Sequence, residues 1–211
     1  MFNLLRDFLL EDDAEAESRA LTKMRSEHPE LPDWSGAVQP VLDRLLRENG
    51  ISRALVCRVL SGMPFNALAL PHKTVVIAEQ LVDFCRGQTP QMAFVVAHEV
   101  SHIYRRHARG RSRAGAVTGL LATNPLFALG VRTLLDLGCS RENEFEADRD
   151  ALTFCHRAGY AVEGGVEFLE RLSRGEVPPG ELRQLLNTHP PLTERLAELR
   201  TCAAGLRSGP A

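Results

Sequence analysis

One short motif, His98-Glu-Val-Ser-His102, constrains this chain more than its length or its composition does. Thr89 and Pro90 precede it as a helix N-cap and a proline at the first helical position, which predicts a helix from 89 to about 109. Residues four apart share a helix face, so both imidazoles can bind one metal ion. Glu99 is displaced around the helix, where it can act as a general base on a water instead of binding the ion.

Composition predicts an ordinary folded domain and excludes several classes of protein. The chain has 211 residues, 44% of them apolar, and a net charge of −2. A chain of that length can bury a stable core without disulfide bonds or structural metal ions, and its balanced charge argues against a nucleic-acid partner. Five scattered cysteines, without a Cys-x-x-Cys pair, predict free thiols in a reducing compartment. We expect a cytoplasmic location, because the first residues do not resemble a secretory signal.

Two histidines leave a catalytic zinc site one protein ligand short. The long metzincin pattern is excluded, because Arg105 and Ala108 stand where it needs a glycine and a histidine. Glu144 and Asp148 follow on a second predicted helix and share one of its faces. Glu144 is therefore the candidate third ligand, with a surface carboxylate as the alternative. Asp148 is a candidate for the group that orients a ligand histidine from behind.

The two motifs together resemble a known family. His98-Glu-x-x-His102 followed by Ser140-Arg141-x-x-Glu144-x-x-Ala147-Asp148 is similar to the gluzincin zinc metalloendopeptidases that include HtpX and the CAAX prenyl proteases. Two further segments agree with this family, Asn66-Ala-Leu-Ala-Leu-Pro71 and Thr188-His-Pro-Pro191. The family often has two glycines after the proline, where this chain has His72 and Lys73.

The resemblance implies a fold, a cofactor and a set of roles. It implies an α+β class: a mainly helical, zincin-like domain with a small β-sheet at the edge of the active site. It also implies one zinc ion per chain, held by His98, His102 and Glu144, with Glu99 as the base. The expected function is a compact zinc-dependent endopeptidase. The alternative is a zinc-binding chaperone or assembly protein with little or no proteolysis, and the intact Glu99 argues against it.

His189 has three interpretations, and the sequence does not choose between them. A histidine near the zinc can stabilise the oxyanion that forms on the attacked carbonyl. It can also occupy the fourth metal position and close the site. The third interpretation is an ordinary loop histidine before two prolines.

Apolar periodicity and turn residues predict the remaining organisation. Residues 1–35 form a helical preface that could cover the cleft, 36–202 the metallopeptidase domain, and 203–211 a frayed tail. Further helices are predicted near 38–48, 78–85, 140–159, 164–172, 182–186 and 192–200, and strands near 55–60 and 74–77.

Two segments bear on the partners. The strand around Lys73–Ile77 is predicted to pair with a protein or peptide substrate bound as an extended strand. Residues 114–131 carry no charge, but their glycines, asparagine and proline favour a bent hairpin over a straight membrane span. These residues are a candidate for a peripheral membrane contact, and a membrane anchor is the alternative.

Overall fold

The computed structural model describes residues 2–105, 141–189 and 192–208, and in them it has eight helices and three strands. The first four helices are α1 (Phe2–Glu27), α2 (Pro32–Glu48), α3 (Glu79–Phe84) and α4 (Thr89–Tyr104). The other four are α5 (Arg141–Arg157), α6 (Glu163–Ser173), α7 (Pro179–Thr188) and α8 (Leu192–Ser208). The strands are β1 (Val56–Leu60), β2 (Ala67–Ala69) and β3 (Thr74–Ala78). The predicted class, mostly helical with one small sheet, is confirmed.

The three strands form a mixed sheet in the order β1-β3-β2. β3 pairs with β1 in parallel and with β2 in antiparallel orientation, and all five of its residues are buried. The expectation that the strand around Lys73–Ile77 offers an edge to a substrate is therefore wrong, because both sides of β3 are already paired. Within the described sheet, β2 is an edge strand instead.

α4 is the central helix, and every residue from Gln91 to Ile103 is buried. A helix that is apolar on most sides needs neighbours on most sides, and α4 packs against α2, α5 and α6. Gly164 and Gly165 on α6 permit a close approach, since a Cβ would lie 2.5 Å from the Pro90 backbone at the first and 2.6 Å from the Phe94 ring at the second. The helix that carries the histidine motif is thus fixed by the core of the domain.

Two helix boundaries differ from the predicted ones. α2 begins at Pro32, where the sequence predicted a start near Val38, because proline is favoured in the first helical turn. α8 continues to Ser208, where the sequence predicted a frayed end from Ala203. The tail is helical because Ala203 is buried and Leu206 packs against the core.

Some predictions lie outside the described residues. They are the continuation of α4 from 106 to 109, the N-cap at Ser140 and the uncharged stretch 114–131. Among the described helices, none is both long and apolar enough to cross a bilayer.

Candidate metal centre

α4 brings the two motif histidines together in the interior. His98 and His102 are both buried, and their Nε2 atoms lie 3.1 Å apart. This separation is what residues four apart on one helix face provide. Both imidazoles therefore point their Nε2 atoms at the same small region.

α5 adds a carboxylate to this region. Glu144 is 0% exposed, with Oε2 3.4 Å from His98 Nε2 and Oε1 3.4 Å from His102 Nε2. Its Oε1 has no hydrogen-bond partner among the described residues. A buried carboxylate oxygen without a partner is costly, so the position favours a bound cation.

His189, directly after α7, completes the cluster. Its Nδ1 donates to Glu144 Oε2 at 2.8 Å. One ligand atom from each of His98, His102, Glu144 and His189 lies within 4.8 Å of the other three. Imidazole nitrogens with a carboxylate oxygen are a donor set that zinc accepts, so the residues present fit a zinc ion.

The cysteines are not part of this cluster. The four that the structure describes are free, and Cys139 lies outside the described residues. Burial raises the pKa of Cys57, Cys85 and Cys155 to about 12, which keeps these thiols protonated. Since a metal ligand must be a thiolate, they behave as small apolar core residues.

Asp148 lies behind His98, one turn along α5 from Glu144. Its Oδ1 accepts a hydrogen bond from His98 Nδ1 at 3.0 Å. A proton on Nδ1 leaves the lone pair on Nε2, the atom that faces the cluster. This is the arrangement that the sequence predicted for Asp148.

Arg195 is the one group of the site that sequence reasoning missed. It lies on α8, is 6% exposed, and donates to both oxygens of Asp148 at 2.7 Å through Nε and Nη2. Its Nη1 is 3.3 Å from Glu144 Oε2. The available signal was its place on the apolar face of α8, one turn from Leu192 and Leu199, where a charged residue needs a buried partner.

The buried charges reinforce one another. Burial alone would raise the pKa of Asp148 and of Glu144. At Asp148 the positive charge of Arg195 outweighs the effect of burial. At Glu144 the charge of His189 and the hydrogen bonds from the histidines outweigh it. Both pKa values are therefore lowered. Both carboxylates are therefore ionised, and Glu144 presents negative charge to the centre of the cluster.

The two motif histidines differ in how readily they hold a proton. Burial opposes a charge on each. Hydrogen bonds to Asp148 and Glu144 overcome it at His98 and raise its pKa to about 9. At His102 burial and the charge of His98 prevail and lower the pKa to about 4. His98 and His102 together therefore carry one positive charge. A divalent cation that binds both rings as neutral ligands displaces that proton.

Glu99 lies beside the cluster without belonging to it. It is buried, and its Oε1 is 3.8 Å from His189 Nε2. Glu99, His98 and His189 line a cavity whose other walls are mostly apolar, among them Ala67, Phe94, Leu172 and Leu185. The arrangement therefore joins a carboxylate, a candidate metal site and an apolar pocket in one cavity.

Comparison with known proteins agrees with this geometry. Residues 32–203 match the family described as Peptidase family M48. The Beta-barrel assembly-enhancing protease of Escherichia coli (strain K12) is 29% identical in an alignment of 168 positions, which covers 71% of this chain and 34% of that protein. The Protease HtpX homolog of Salinibacter ruber is 25% identical, with 85% of this chain and 76% of that protein covered.

These matches confirm the family resemblance stated from the sequence. The chain spans about a third of the length of the first of these relatives.

The Arg195 contacts yield a first prediction. Replacing Arg195 by Leu leaves Asp148 and Glu144 buried without their cation, so we expect the free energy of unfolding to fall by about 3–5 kcal/mol. The double variant Asp148→Leu/Arg195→Leu should recover a large part of this loss, because no uncompensated charge remains on that pair. Denaturant unfolding measures both.

Arg200→Leu is the matched control. Arg200 lies on the same helix and pairs with Glu170 at the surface, so its loss should cost at most about 1 kcal/mol. Equal losses for Arg195→Leu and Arg200→Leu would contradict the role given to Arg195.

Proposed function

The chain belongs to peptidase family M48, and we propose that it hydrolyses peptide bonds in proteins with one zinc ion held by His98, His102 and Glu144. One observation carries the proposal: a fully buried carboxylate, whose Oε1 has no hydrogen-bond partner in the described part of the chain, faces two imidazole Nε2 atoms at 3.4 Å. Two histidines and a glutamate are the protein ligands of one class of catalytic zinc site.

Glu99 is the proposed general base. A zinc ion, when bound, supplies Lewis-acid activation of a water and of the scissile carbonyl. Glu99 accepts the proton of the attacking water and later donates it to the leaving amine. Its burial beside the cluster supports this role, because proton transfer needs a carboxylate within reach and shielded from bulk water.

Asp148 and Arg195 have supporting roles in this proposal. Asp148 keeps the His98 proton on Nδ1, so that Nε2 is the donor atom toward the ion. Arg195 keeps Asp148 ionised through its paired hydrogen bonds, and its Nη1 also lies 3.3 Å from Glu144 Oε2. The residues around the ion are thereby held in the protonation states that binding needs.

β2 is the proposed pairing edge for an extended substrate. The Asn66 carbonyl accepts from Ala78 N–H at 2.9 Å, and Leu70 N–H donates to the Thr74 carbonyl at 2.8 Å. Since alternate residues of an antiparallel strand bond to the same neighbour, the Ala67 carbonyl and both main-chain groups of Ala69 face the other edge. Ala67 also lines the cavity that Glu99 lines.

A substrate bound through main-chain hydrogen bonds is selected for its extended shape more than for its sequence. We therefore propose unfolded protein segments as the substrates.

His189 is the proposed fourth ligand, and it closes the site in the conformation described. Its hydrogen bond to Glu144 at 2.8 Å and its place among the four ligand atoms support this interpretation over the loop histidine. In that position it excludes the attacking water, so the described conformation is a resting form.

A cytoplasmic location is also a proposal. The free thiols of the described cysteines support it, because reducing compartments keep thiols unpaired. A peripheral membrane contact through 114–131 is proposed from the sequence alone.

Glu99→Gln tests the chemistry. We expect the variant to bind one zinc ion as the wild type does and to lose cleavage of an unfolded protein by at least about 10²-fold, because the amide cannot accept a proton. Metal analysis and a casein cleavage assay measure the two properties. Glu142→Gln, at an exposed position of α5, is the control and should keep full activity.

Undiminished cleavage by Glu99→Gln would refute the general-base role. A wild-type chain that binds zinc and cleaves no unfolded protein would favour the alternative, a zinc-binding chaperone or assembly protein.

His189→Ala tests the proposed closure. Removing the fourth ligand should open a position for water, so we expect kcat/KM to rise several-fold while zinc affinity falls. Steady-state kinetics with metal titration measures both. A fall in kcat of about 10²-fold or more, with KM unchanged, would instead identify His189 as the oxyanion stabiliser.

A further inference from the structure

The N-terminal helix contacts the β2–β3 connection through a buried glutamate. Glu17 on α1 is 4% exposed. Its Oε2 accepts hydrogen bonds from the backbone N–H groups of His72 at 2.7 Å, Lys73 at 2.8 Å and Thr74 at 3.4 Å. Its Oε1 accepts from the Thr74 hydroxyl at 2.7 Å. All four donors belong to residues 72–74, which end the β2–β3 turn and begin β3.

The turn supplies what a buried carboxylate needs. Successive backbone N–H groups that converge on one point form a concave anion site. The ladder between β2 and β3 ends where Leu70 donates to Thr74, so the N–H groups of His72 and Lys73 lie beyond it. Glu17 satisfies these donors, and they in turn offset the cost of burying its charge.

This contact fixes one end of β2. The strand has only three residues and pairs with β3 alone within the described sheet, so few bonds of its own hold it in place. One residue beyond its end, Leu70 leads into the turn that Glu17 holds. At the other end, Ala67 lines the cavity with His98 and Glu99.

α1 is itself docked on the domain. Leu21 and Met24, one and two turns after Glu17, pack against the hydrophobic core. These core contacts fix the position of Glu17, and the hydrogen bonds of Glu17 in turn fix the position of the β2–β3 turn.

We propose that Glu17 is a positioning residue: it holds the β2–β3 turn so that the outer edge of β2 stays aligned with Glu99 for an extended substrate. The inference rests on the proposed function, since it takes β2 as the pairing edge. It differs from the expectation that residues 1–35 cover the cleft, because a cover removed raises activity and an anchor removed lowers it.

Glu17→Ala tests the proposal. The variant removes four hydrogen bonds from the turn, so we expect KM for an unfolded protein to rise roughly tenfold, with kcat and zinc content unchanged. Amide hydrogen exchange across 67–74 should become faster. Glu15→Ala, at an exposed position of the same helix, is the control and should change neither.

Glu17→Gln is the rescue variant. Its amide oxygen can accept from the backbone donors, and its amide nitrogen can donate to the Thr74 hydroxyl, which also accepts. We expect KM and the amide hydrogen exchange rates across 67–74 to return close to their wild-type values.

Three results would overturn the positioning role. The first is an unchanged KM and unchanged amide hydrogen exchange in Glu17→Ala, and the second is a rise in the activity of that variant. The third is a fall in kcat together with a lower midpoint of unfolding, which would make Glu17 a residue of global stability. If the wild-type chain cleaves nothing, the proposed function fails. The exchange data then still decide whether Glu17 holds the turn.

Discussion

The buried charge of Glu144 is the constraint on which the surrounding helices depend. A carboxylate removed from water costs several kcal/mol unless cations and donors compensate it. Here the compensating groups come from three other parts of the chain: the histidines of α4, His189 after α7, and Arg195 on α8. The helices can therefore pack only in an arrangement that brings these groups to one point, and that point is the candidate metal centre.

The chain uses a second buried glutamate differently. Glu144 faces side chains that can carry positive charge, and one of its oxygens has no hydrogen bond from any residue that the structure describes. Glu17 has both oxygens occupied by hydrogen bonds from one turn. The first environment suits a cation, and the second suits a fixed mechanical contact. Glu144 thus belongs to the cluster on α4, and Glu17 holds the turn next to the strand proposed to bind the substrate.

Local patterns predicted the parts of the site that depend on helix geometry. The four-residue spacing placed His98 and His102 on one face of α4, and the same spacing placed Glu144 and Asp148 on one face of α5. The need for a third ligand then singled out Glu144. The structure brings His98, His102 and Glu144 together and places Asp148 against His98, because the helical period that placed them holds in both helices. Their roles are the proposal made above.

The remaining features depend on contacts between distant residues, which a local pattern does not encode. Arg195 bonds to a residue 47 positions away, and Glu17 to donors at least 55 positions away. β2 was not predicted as a strand, because three residues are too few for a periodic pattern. β3 is the central strand only because β2 pairs with its second side. Without β2, the sequence prediction placed the free edge on β3.

X-ray absorption at the zinc edge of the purified, zinc-loaded chain tests the central claim most directly. The account predicts one zinc per chain in a shell of nitrogen and oxygen donors at about 2.0–2.1 Å, and the loss of the ion when Glu144 is replaced by Gln. A shell containing sulfur at about 2.3 Å, or a chain that retains no zinc, would contradict it.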